Sequence, residues 1–246
     1  MTTSSRRSLV VAAALVFAPL ALAPADDDGW IDLTADGLAA FRGPTGAWAV
    51  VADAGLDPDD PKHLRGQPGT GAIVNDPPGR TANLVTKQAF GDAEVHLEFL
   101  VPKGSNSGIK LQGLYEIQIF DSHGIDPPTA SHSGGIYPRA ELLPRYRHID
   151  DGIPPRLNAS KPAGEWQTLD LVFRAPRFDS DGQKTANARF DKVALNGQVV
   201  HENVELLYPT GHAWNTKKEI PAGPIMLQAD HGPVAFRKVR VRVLGN

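Results

Sequence analysis

Along most of the chain apolar and polar positions alternate with a period of two, in short runs bounded by Gly, Pro, Asn and Asp. Such runs predict strands at residues 47–55 (AWAVVADAG), 71–76 (GAIVND), 82–90 (ANLVTKQAF) and 92–102 (DAEVHLEFLVP). In the last of these, Val95, Leu97, Phe99 and Val101 leave one face, and Glu94, His96 and Glu98 the other. Further runs follow at 107–113, 114–121, 166–176, 185–200, 224–230 and 234–244. No segment between them carries a convincing helical period. Roughly ten strands with few helices predict an all-β fold, a two-sheet antiparallel β-sandwich or jelly roll, because sheets with one apolar face must stack. Asn196-Gly197, between two apolar runs, predicts a hairpin turn.

One strand is unusual. In LYEIQIFD, Tyr115, Ile117 and Ile119 share a face, so Glu116 and Gln118 project together from the other. Gln112 interrupts an apolar run just upstream. Asp121 is an odd number of residues from Glu116 and joins its face only if a bulge intervenes. The pattern E-x-Q-x-x-D resembles the E-x-D-x-x-E pair of jelly-roll glucanases, but its central residue is an amide, which argues against standard two-carboxylate glycoside hydrolysis. Either this is an ordinary solvated face or it is the floor of a site. The long stretch 122–164 has little periodicity and many prolines and glycines, and it holds His123, His132, Tyr137 and His148. Loops that long are functional or disordered, and this one is expected to wall the end of the sheet. Near the C-terminus, Gln228 precedes a turn at Asp230-His231-Gly232.

Composition narrows the class. The 246 residues are 41% hydrophobic and 22% charged, ordinary for one globular domain. A net charge of −3 argues against a nucleic-acid partner. There are no cysteines, which removes disulfides, thiolate metal sites and cysteine nucleophiles. The N-terminus carries Arg6-Arg7, an apolar run from Leu9 to Ala23 that is too short for a membrane span, and small residues Ala23 and Ala25. Residues 1–25 are therefore expected to be a signal peptide, resembling the twin-arginine type, and residues 26–246 a single exported domain without stable membrane insertion.

The strings NSGI (106–109), YEIQIFD (115–121) and LQADHGPVAFR (227–237) together resemble the 3-keto-disaccharide hydrolase domain family, and the likeness runs through nearly all of the chain after residue 28. In the last string, a residue that the family places between HG and PV stands here before His231. The resemblance implies a jelly roll of the concanavalin A-like lectin/glucanase type, with a carbohydrate site lined by Asn106, Glu116, Gln118, Asp121, Gln228 and His231, and with Asn158 and Gln112 as further candidates. Its implied substrates are glycosides oxidised to a ketone at C3. Such a ketone acidifies the C2 proton, whose loss yields an enolate that can expel the C1 oxygen, with water adding later; direct hydrolysis of the glycosidic bond is the other route left open. That chemistry needs a base, a proton donor to the leaving oxygen, and donors toward the enolate oxygen. His231 and Glu116 fit base and acid in either order. No cofactor is required, although Glu116, Asp121 and His231 are all donors that a divalent metal could use. A non-catalytic carbohydrate-binding module on the same fold is the alternative, and a structural envelope domain a third. Trp30, Trp48, Trp166 and Trp214 are too scattered to form an obvious sugar platform.

Overall fold

A computed structural model describes residues 28–76 and 79–245. The expected leader at 1–25 lies outside the described residues. The strands in chain order are β1 (Trp30–Asp32), β2 (Ala49–Leu56), β3 (Leu64–Val74), β4 (Leu84–Phe90), β5 (Ala93–Leu100), β6 (Asn106–Leu111), β7 (Tyr115–Phe120) and β8 (Ala140–Glu141). They continue as β9 (Arg147–His148), β10 (Gln167–Arg174), β11 (Arg177–Phe178), β12 (Lys184–Ala186), β13 (Ala188–Leu195), β14 (Gln198–Leu206), β15 (Gly223–Leu227) and β16 (Ala235–Val243). The only helix among the described residues is the four-residue α1 (Ala213–Thr216).

Two antiparallel sheets make the sandwich, as the alternation predicts. The larger runs β14-β13-β10-β5-β16-β3-β2, with β1 added on β16, and the smaller runs β4-β15-β6-β7. Their inner faces are the apolar positions of the strands. Leu97, Phe99, Leu171 and Phe173 from the large sheet meet Ile109, Tyr115, Ile117 and Leu227 from the small one in a single core. Phe173 is fully buried there, with its ring 5.6 Å from Tyr115 and 5.5 Å from Phe190. Each such side chain contributes about 1.5–3 kcal/mol on burial. Asn196 and Gly197 both take positive φ (50° and 79°) and join β13 to β14 as the expected two-residue turn.

β3 begins well before the run at 71–76. Its first half, LRGQPGTG, has no alternation and is largely exposed, so its pattern gives no strand signal. Main-chain pairing with β2 forms it instead, with a bulge between Val51 and Asp53.

Candidate active site

The outer face of the small sheet carries the even-numbered residues of β6 and β7. Lys110 pairs with Glu116 and Gly108 with Gln118, with no break in register. β15 lies on the other side of β6, with Met226 opposite Lys110, and the Gln228 N–H donates to the Gly108 carbonyl at 2.9 Å. Charged and amide side chains thus stand in rows around a glycine. A Cβ added at Gly108 would lie 2.6 Å from Glu116 Oε1, so the missing side chain is the space the carboxylate occupies. A cavity of about 240 Å³ opens over this floor.

The long irregular stretch forms one wall, as expected from the sequence. Residues 134–137 lie along the free edge of β7. Gly134 N–H donates to the Gln118 carbonyl and Gln118 N–H to the Gly135 carbonyl, both at 2.9 Å, and Tyr137 N–H donates to the Glu116 carbonyl at 3.2 Å. Glu116 and Gln118 are buried, at 2% exposure each. Tyr137 and Tyr146 face the cavity with their hydroxyls 3.0 Å apart, and His148 Nε2 lies 3.0 Å from the Tyr137 hydroxyl. Burial, and then Tyr146, push the Tyr137 phenol upward, which keeps it a proton-bearing donor. Asn83, Asp230 and His231 form a second side, and Gly211 to Ala213 with Lys217, around α1, a third.

The charges are arranged in pairs. Glu116 Oε2 sits 2.8 Å from Lys110 Nζ, both side chains nearly buried. His231 Nδ1 lies 2.7 Å from Asp230 Oδ1. That hydrogen bond raises the His231 pKa, against the effect of burial and with help from the charges of Asp230 and Glu116. The same bond lowers Asp230. His212 moves the other way: burial, then Lys110 and Lys217, push it down. One cavity therefore holds one imidazole biased toward its charged form and one biased toward its neutral form. Gln118 Nε2 donates to Asn106 Oδ1 at 3.1 Å and to the Ser131 carbonyl at 3.3 Å, while its buried Oε1 has no partner. A buried acceptor without a partner is costly, which sets Gln118 apart from the other amides of the cavity.

A family model described as the 3-keto-alpha-glucoside-1,2-lyase-like domain matches residues 29–242. The chain belongs to that family. Among solved structures, a "putative glycosyl hydrolase" of Parabacteroides distasonis ATCC 8503 is 25% identical, with 94% of each chain covered and a TM-score of 0.58. A second one from the same organism is 13% identical, covers 89% of this chain and 95% of its own, and has a TM-score of 0.51, which shows a shared fold. No curated protein matches. The family and these neighbours make this a carbohydrate-related, glycosyl hydrolase-like domain.

Five of the residues expected from the sequence line the cavity of this lyase-like domain: Asn106, Glu116, Gln118, Gln228 and His231. Three do not. With no bulge in β7, Asp121 stays off the Glu116 face, and its Oδ2 accepts the Gly104 N–H at 2.9 Å, holding the turn before β6. Asn158 binds the carbonyl of Ser122 and that of Ile125 (2.9 Å) through Nδ2 and accepts the Ser160 N–H at 3.0 Å, which pins the long loop. Gln112 lies past the end of β6 at φ 57°, where its side chain turns to the Pro221 carbonyl at 3.3 Å. The expected donor trio for a metal is therefore not assembled. Among the described residues no group of three or more His, Asp or Glu side chains is placed to hold one.

Sequence reasoning missed Lys110, Asn83, His212 and Lys217 as lining residues and passed over Asp230 beside His231. Lys110 was within reach, because it shares parity with Asn106 on the strand that pairs with β7. His212 and Lys217 carried no local signal.

Proposed function

We propose that this domain cleaves glycosides carrying a ketone at C3, by removing the C2 proton and eliminating the C1 oxygen, with water adding to the product afterwards. The observation that supports this most directly is a carboxylate and a partnered imidazole sharing one cavity, Glu116 on its floor and His231 on its side. Glu116, ion-paired with Lys110, takes the C2 proton. His231, whose pKa Asp230 raises, is the donor to the leaving oxygen. Gln118, Asn106 and Gln228 orient the ring hydroxyls. With residues 1–25 as leader the domain is exported, and N-terminal sequencing of the secreted protein should begin at Asp26.

Proton NMR of a 3-keto-glucoside with the protein in deuterated buffer tests the reaction. Cleavage with deuterium at C2 is the expected result, whereas cleavage with the C2 proton fully retained would replace elimination by direct hydrolysis. Binding without turnover would make the domain a carbohydrate-binding module. Loss of the acid or the base should each lower kcat by roughly 10²–10⁴-fold. His231→Ala should slow poor leaving groups far more than good ones, while Glu116→Gln should slow both alike.

A further inference from the structure

Among the described residues, the pairing of charges in the cavity leaves one cation over. Lys110 is matched by Glu116 and His231 by Asp230. Lys217 also lines the cavity, just past α1, but its ammonium meets no carboxylate among the described residues. It donates to the Gly113 carbonyl at 3.3 Å, in the turn between β6 and β7. Its surroundings work against its charge: partial burial lowers its pKa, and the positive charge of Lys110 adds to this. His212 beside it is pushed toward neutrality and supplies no counter-charge. A cation kept in such a place gains most when an anion appears next to it.

The elimination proposed above produces such an anion inside the cavity, and the inference rests on that reading. When the C2–H bond breaks, its electron pair forms C2=C3 and the C3=O pair moves onto the oxygen. We propose that Lys217 is a further catalytic residue, its Nζ donating a hydrogen bond to the C3 oxygen as the enolate charge develops there. When the enolate collapses, C3=O reforms, C1=C2 forms and the C1–O bond breaks. The leaving oxygen takes a proton from His231, and the proton held by Glu116 returns to solvent. Lys217 keeps its own proton throughout, so the lysine acts by charge and by a hydrogen bond that is strong only in the transition state.

The test compares the unaltered protein with Lys217→Met and Lys217→Arg, using a cleavable 3-keto-glucoside and 3-keto-1,5-anhydroglucitol, which has no aglycone to release and is followed by deuterium exchange at C2. If the unaltered protein neither cleaves the first nor exchanges the second, the elimination reading fails and Lys217 loses its role with it. If the unaltered protein is active, Lys217→Met should lower kcat by roughly 10²-fold with KM little changed, as for removal of one oxyanion donor. Deuterium exchange should fall in parallel, Lys217→Arg should recover much of both, and the melting temperature should not move. An unchanged kcat, a rise in KM alone, or exchange at the original rate while cleavage falls would each overturn the assignment.

Discussion

A Cβ at position 108 would overlap Glu116 Oε1 at 2.6 Å and crowd its Cγ at 3.2 Å, while the backbone there is free of positive φ. Gly108→Ala is therefore a substitution the strand accepts and the carboxylate does not. It should leave the melting temperature nearly unchanged and lower kcat/KM by about 10²-fold, the scale of a 1 Å misplacement of a reacting group. A fully active Gly108→Ala protein would show that the position of Glu116 is not critical. His231 gives a pH prediction at the same scale. As the proton donor it works below its raised pKa, and its activity is lost as pH rises through that value. Asp230→Asn removes the chief cause of the shift, so the alkaline limb of the kcat profile should move to lower pH.

At the scale of elements, β7 is buried on both faces for different reasons. Tyr115, Ile117 and Ile119 enter the core, and Glu116 and Gln118 are enclosed in the cavity floor, with residues 134–137 bonded along the strand's edge. The alternation in LYEIQIFD made the two faces legible, and the length of the aperiodic stretch after it made the wall legible. Where the strand ended was not. Asp121 follows β7 directly in sequence, yet its carboxylate closes the turn at Gly104 on the neighbouring chain segment. Asp121→Ala should thus cost about 1 kcal/mol in urea unfolding, the worth of one such hydrogen bond. Its kcat should remain near that of the unaltered protein, and a loss comparable to that of Glu116→Gln would return Asp121 to the reacting centre.

At the scale of the whole molecule, the step between the two sheets is held by one buried carboxylate. Asp92 lies between β4 of the small sheet and β5 of the large one and is 5% exposed. It accepts two hydrogen bonds from Arg177 at 2.7 and 2.8 Å, one from Arg174 at 3.2 Å and one from the Ala175 N–H at 2.9 Å. Burial acts to raise its pKa, but these donors outweigh it and hold the carboxyl at about 2, below its ordinary 3.8. A carboxylate lowered on folding stabilises the fold above its unfolded pKa and stops doing so as pH falls through the folded one. Asp92 should contribute on the order of 2 kcal/mol at neutral pH, lost progressively between about pH 4 and pH 2. Asp92→Asn should lower the neutral-pH denaturation midpoint and flatten the acid dependence over that interval.

What the sequence determined by itself was the architecture and the faces. Period-two alternation is a local property, legible two residues at a time, and it fixes which side chains of β6, β7 and β15 enter the core and which stand over the sheet. It also brought out Glu116 and Gln118, while His231 stood out by its place in the turn after Gln228 and by the family motif. Tertiary structure alone decided which of those outward groups share a cavity and how their charges are matched. Glu116 meets Lys110 because of the register between two strands. Lys217 enters the cavity and reaches the Gly113 carbonyl from 104 residues away. Such meetings depend on the path of the chain between sheets, and no periodic pattern encodes that path.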